Sequence, residues 1–146
     1  MAIDRDKLQI CLSKWQEVLR LRDWDIKLEI IHRRWRKSGD IKIDQDDRKA
    51  VILINNTPKC TNLEELVVHE LLHLKLWGMD QMIEKFINQI FGTDDSDPKR
   101  DFAMNQFFML LESTVEDLAK GFLKASGCRE ELSFGRLQHQ VDQEIK

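Results

Sequence analysis

The stretch Val67-Val68-His69-Glu70-Leu71-Leu72-His73-Leu74-Lys75-Leu76 decides how the rest of the chain is read. It is apolar enough for a buried helix, yet it carries two histidines four residues apart with a glutamate between them. At about 3.6 residues per turn, His69 and His73 stand one above the other on a single helical face, the spacing at which two imidazoles hold one Zn²⁺. Glu70 is rotated off that axis. From there its carboxylate reaches a water rather than the metal, which is where a general base is needed. The competing reading is structural, with both histidines hydrogen-bonded in the core. Burying two imidazoles and a carboxylate is costly unless something coordinates or pairs them, and this favours the metal.

The chain has 146 residues, of which 42% are hydrophobic and 34% charged. That suits one soluble, globular domain spanning 1–146, with little room for a second. The formal net charge of -3 makes nucleic acid an unlikely partner on bulk charge. His32-Arg33-Arg34-Trp35-Arg36-Lys37 is nevertheless a local basic patch around a tryptophan; its plainer reading is a solvated strand end or hairpin. No apolar signal core opens the sequence and no run approaches a membrane span, so no membrane partner is expected. Cys11, Cys60 and Cys128 are odd in number, widely spaced and free of any Cys-x-x-Cys pair, which fits a reducing cytoplasm.

Helical spacing of Leu8, Cys11, Leu12, Trp15, Val18 and Leu19 predicts an amphipathic helix over residues 4–21. Residues 24–32 alternate, with Trp24, Ile26, Leu28 and Ile30 on the buried side and His32 continuing that series as a structural histidine. Ser38-Gly39 is a turn signal. The alternating charges that follow mark an edge strand, since Lys and Asp there discourage pairing with a wrong chain. Ala50-Val51-Ile52-Leu53-Ile54 is apolar throughout, as in a central strand covered on both faces. Thr61 or Asn62 caps the motif helix and Gly78 offers its stop. A helix over 80–91 presents Met82, Ile83, Phe86, Ile87 and Ile90. Residues 92–98 form a connector whose three aspartates lack calcium-loop spacing. A long helix over 100–125 then buries Phe108, Leu111, Val115, Leu118 and Phe122, beside a stripe of Met109, Glu112, Glu116, Ala119 and Leu123. Residues 129–146 form a peripheral, fraying helix. The class is α+β, a small, mostly antiparallel three-stranded sheet packed on the motif helix and further helices.

A hydrolytic zinc site takes three protein ligands and keeps one position open, so His69 and His73 need one more donor. Glu112 is the preferred ligand. Glu116, one turn later, is then placed to hydrogen-bond the second nitrogen of a liganding histidine, although the two roles can be exchanged.

His69-Glu70-Leu71-Leu72-His73 followed by Glu112-Ser113-Thr114-Val115-Glu116 resembles the gluzincin zinc metallopeptidases, whose third ligand is a glutamate. The layout resembles the small single-domain phage and bacterial members, with Glu116 standing where an aspartate is usual. This resemblance implies a zincin-like fold, one Zn²⁺ per chain and Glu70 as general base in hydrolysis of a peptide bond by a metal-activated water. It also implies that an extended peptide pairs with the edge strand, here Gly39, Asp40, Ile41, Lys42, Ile43 and Asp44. Related enzymes often add a Tyr or His donor for the oxyanion. The chain has no tyrosine, which leaves His139, Arg129 or Arg136, with His139 the first candidate.

Two other functions stay open at this level. One is a non-catalytic, zinc-stabilised interaction or regulatory module; the other is a nucleic-acid-associated hydrolase using residues 33–37. The partner of the leading reading is a peptide or protein substrate, with the oligomeric state undetermined.

Overall fold

Why the chain folds as it does is clearest at its third strand, the most apolar run in the sheet. The computed structural model describes residues 3–146, with α1 at Arg5–Val18, β1 at Asp25–Ile31, β2 at Gly39–Asp44 and β3 at Lys49–Asn55. The helices α2 (Leu63–Lys75), α3 (Trp77–Phe91), α4 (Pro98–Ala125) and α5 (Arg136–Glu144) follow. β3 takes the centre of the order β1-β3-β2, where both its edges are hydrogen-bonded. It pairs antiparallel with β2 through the 45–48 turn and parallel with β1.

The architecture is therefore α+β, and its sheet is mixed rather than mostly antiparallel. The cause lies in residues 32–38, which carry the chain across the end of β3 instead of turning back beside β1. Asn55 secures that crossing: its side-chain amide donates to the carbonyls of Trp35 and Lys37, and its backbone N–H donates to Ser38. His32 lies at the start of the crossing and is exposed, not inward-facing.

Only one face of the sheet is covered by helices. Leu28, Ala50, Ile52 and Ile54 are buried beneath it. On the other face the register aligns Lys27, Val51 and Lys42 across the strands, and likewise Glu29, Leu53 and Asp40. Val51 and Leu53 are half-buried there among charged neighbours, so the expected two-sided cover of β3 is absent. Long Lys stems shield apolar surface while keeping their charge in water.

α2 is the hub of the helical layer, with Val67, Val68 and Leu71 wholly buried. It packs against α1, α4 and the sheet. Asn62 caps it by accepting from the Glu65 N–H, and Glu64 and Glu65 complement the positive end of its dipole. Glu64 also accepts from Trp15 Nε1 of α1 at 2.7 Å. Glu65 ties the tail: the Ser133 hydroxyl and backbone N–H both donate to its carboxylate.

Three helical expectations need correction. Gly78 is not a stop, because α2 yields at Leu76 and α3 begins at Trp77 with Gly78 inside it. Of the α3 stripe only Ile87 is buried; Met82, Phe86 and Ile90 are exposed. On α4 the buried residues are Met104, Val115, Ala119 and Leu123, whereas Phe108, Leu118 and Phe122 are exposed. The contact face of α4 is thus rotated toward the stripe that carries Glu112 and Glu116. α5 buries no residue and is peripheral, as expected.

Leu71→Ala removes a fully buried side chain at the centre of this layer. It should lower unfolding free energy by ~2–5 kcal/mol, read as a fall in the urea midpoint at unchanged m-value.

Candidate metal centre

The helical period of α2 brings His69 and His73 to one face, and α4 crosses that face with Glu112 and Glu116. The two imidazole Nε2 atoms are 3.2 Å apart. Glu112 spans both, with one carboxylate oxygen 3.0 Å from His73 Nε2 and the other 3.5 Å from His69 Nε2. All three residues offer ligand atoms within 4.8 Å of one another, a group that can hold a metal ion.

The donor set suits a divalent metal ion, zinc among them. Zn–N and Zn–O bonds of ~2.0 Å imply ligand–ligand separations of ~3.3 Å in a tetrahedron, and the 3.2 Å between the two Nε2 atoms and the 3.0 Å from His73 Nε2 to one Glu112 oxygen are near that value. Two nitrogens and a carboxylate are also the ligand chemistry zinc favours. The half-exposed Glu112 leaves the group open to solvent, as a site with a free coordination position requires.

Glu116 occupies the supporting place. One of its oxygens lies 3.1 Å from His69 Nδ1, and the other faces Lys120 Nζ at 3.4 Å. A hydrogen bond from Nδ1 to this carboxylate directs the Nε2 lone pair toward the metal position. Glu112 thus faces both Nε2 atoms and Glu116 lies behind His69.

Burial disfavours the charged form of His69, but hydrogen bonds to Glu112 and Glu116, with the charges of Glu70 and Glu116, prevail and raise its pKa to about 10. Those same bonds, first from His69 and then from His73, hold Glu112 well below the ordinary carboxylate range. Glu116 is lowered chiefly by His69.

Glu70 lies beside this group, 5% exposed. Burial pushes its pKa up to about 7, against the lowering influence of His69 and His73 and with help from the charge of Asp40. No side-chain atom among the described residues is sealed off without a partner. The carboxylate rests on the first residue of β2. A Cβ on Gly39 would sit 2.9 Å from Glu70 Oε1 and 3.4 Å from the Leu53 carbonyl, so the strand starts with the one residue that leaves room. Sequence reading included Gly39 in the edge strand but missed this close approach, which a glycine inside an alternating strand can signal.

β2 is an edge of the sheet, as its charge pattern predicted, and Gly39, Asp40, Ile41, Lys42, Ile43 and Asp44 form all of it. Asp40 resists its partial burial through hydrogen bonds from Lys37 and Lys42, which keep its carboxyl below the usual range. His139 is not brought to the centre. It sits on exposed α5, 2.9 Å from Gln143, and Arg129 and Arg136 are exposed as well. The three cysteines are free, and Cys60 has its thiol pKa raised to about 11 by burial first and Glu65 second, which suits an unreactive thiol.

Compared with known proteins, the chain matches no family model, no curated protein and no solved structure.

Zinc uptake at pH 7 should release about one proton per ion, since the ion displaces the His69 proton; calorimetry in buffers of different ionisation enthalpy measures it. Because the folded pKa of His69 lies above its unfolded value of 6.5, its stabilising contribution is complete below pH 6.5 and is lost as pH rises through about 10. Urea midpoints of the metal-free protein should fall over that window, and those of the zinc-loaded protein should not. Glu116→Ala should weaken zinc binding ~10–100-fold in a chelator competition.

Proposed function

We propose that the chain is a zinc-dependent metallopeptidase of the gluzincin type with a zincin-like arrangement. The observation that carries this reading is the mutual approach of His69, His73 and Glu112, with Glu70 set against the edge strand. His69, His73 and Glu112 would hold one zinc ion, and Glu116 would fix the tautomer of His69. When bound, zinc supplies Lewis-acid polarisation of the scissile carbonyl and makes water acidic enough to lose a proton near neutral pH.

An extended peptide pairs with the open edge of β2, which brings its backbone over Glu70. Glu70 takes a proton from the attacking water as the new C–O bond forms. It then delivers that proton to the leaving nitrogen as the C–N bond breaks, so the carboxylate is returned unchanged. Burial keeps this group more basic than an exposed glutamate, the direction a general base needs.

No helix among the described residues is long and apolar enough to cross a membrane. With three free cysteines, this supports work in the cytoplasm on a soluble peptide or protein.

Glu70→Gln should keep one zinc per chain while hydrolysis of a peptide mixture falls ~10²–10⁴-fold. Wild-type rates in that variant would remove Glu70 from the chemistry. Gly39→Ala should remain folded, because the group it crowds is the movable end of a side chain. Its hydrolysis should drop as the Glu70 carboxylate is displaced, with zinc content by elemental analysis unchanged.

A further inference from the structure

A cavity of about 620 Å³ lies between the β2–β3 turn and α3, outside the metal group. Gln45 and Asp46 form one wall, and Trp77, Gln81, Met82 and Phe86 the other. Gln81 is fixed in place, its amide nitrogen 3.2 Å from both Asp80 and Glu84. Met82 and Phe86, one turn apart, are 49% and 58% exposed, an apolar pair that the fold itself does not cover.

The cavity lies in line with the metal group. β2 begins at Gly39 against Glu70 and runs to the turn that supplies Gln45 and Asp46. The helical layer takes the same course, from Glu70 in α2 to Trp77 and Phe86 in α3. At ~3.3 Å per residue, Gln45 is ~20 Å along the strand from Gly39. A peptide bound antiparallel to β2 directs its N-terminal part toward this cavity. Side chains alternate across a strand, so peptide residues opposite Gly39, Ile41, Ile43 and Gln45 all face the helices.

The geometry points to a substrate subsite here, taking a large apolar side chain four or six residues before the residue that lies opposite Gly39. It rests on the peptidase reading and adds a specificity determinant remote from the bond that is cut. Trp77, Met82 and Phe86 receive the side chain, and Asp46 and Lys85 at the polar rim disfavour a bare charge of either sign beside them.

The test digests a mixture of randomised fourteen-residue peptides with the zinc-loaded full chain and sequences the products. With the residue opposite Gly39 next to the bond that is cut, Phe, Leu and Met should be enriched at alternate positions four and six residues before it, and not at the fifth. Replacing that residue by Ser in a selected peptide should lower kcat/KM about tenfold in the wild type. Phe86→Ser or Met82→Ser, both at exposed positions, should no longer distinguish the two peptides. Cleavage without this enrichment, or with the same discrimination in both variants, overturns the subsite and leaves the peptidase reading standing. Failure of the zinc-loaded wild type to cut any peptide overturns the peptidase reading and the subsite with it.

Discussion

A buried helix has to find a partner for every ionisable group it carries, and that constraint on α2 organises the molecule. All of its ionisable groups but the exposed Lys75 face another part of the chain. Glu64 draws α1 through Trp15 and Lys14, and Glu65 holds the tail at Ser133. His69 and His73 face Glu112 and Glu116 of α4. Glu70 has the closest quarters of all, with β2 pressed against it at Gly39. The polar groups of one helix thus specify where its neighbours stand, while Leu71, Val67 and Val68 supply the apolar contact that holds them there.

A positive charge is favoured where His69 and His73 face Glu112 and Glu116. The carboxylates that would orient and complete a zinc site also favour the charged form of His69. The donor atoms stand together within the fold itself, held by the packing of α2 against α4. Preformed donors reduce the ordering cost of binding and couple it to pH.

Much of this was legible in the sequence, for reasons that differ between elements. The histidine spacing and the i, i+4 pair Glu112 and Glu116 follow from helical periodicity alone, and the structure brings all four together. The edge position of β2 could be read from its alternating charge, and the central position of β3 from its continuous apolar run. What failed were inferences about which side of an element meets which neighbour. Val51 and Leu53 resemble buried residues in composition, yet they lie on a face screened by Lys27, Lys42, Glu29 and Asp40. Phe108 and Phe122 have the hydrophobicity of a core stripe, but α4 is turned so that Glu112 and Glu116 face the half-buried histidines. The parallel pairing of β1 depended on Asn55 and the 32–38 crossing, a long-range contact with no local periodicity to announce it.

Gly39 also links assembly of the sheet to assembly of the site. Sliding β2 by one residue along β3 would put Ser38 or Asp40 where Gly39 meets Glu70 and force the carboxylate to move, and would turn every inward residue of the strand to the opposite face. A misaligned hairpin is thus penalised twice, once in the core and once at a carboxylate that belongs to another element. The register of the strand is proofread by the helix beneath it, so a chain whose sheet has closed correctly has, by the same event, set its acidic group in place.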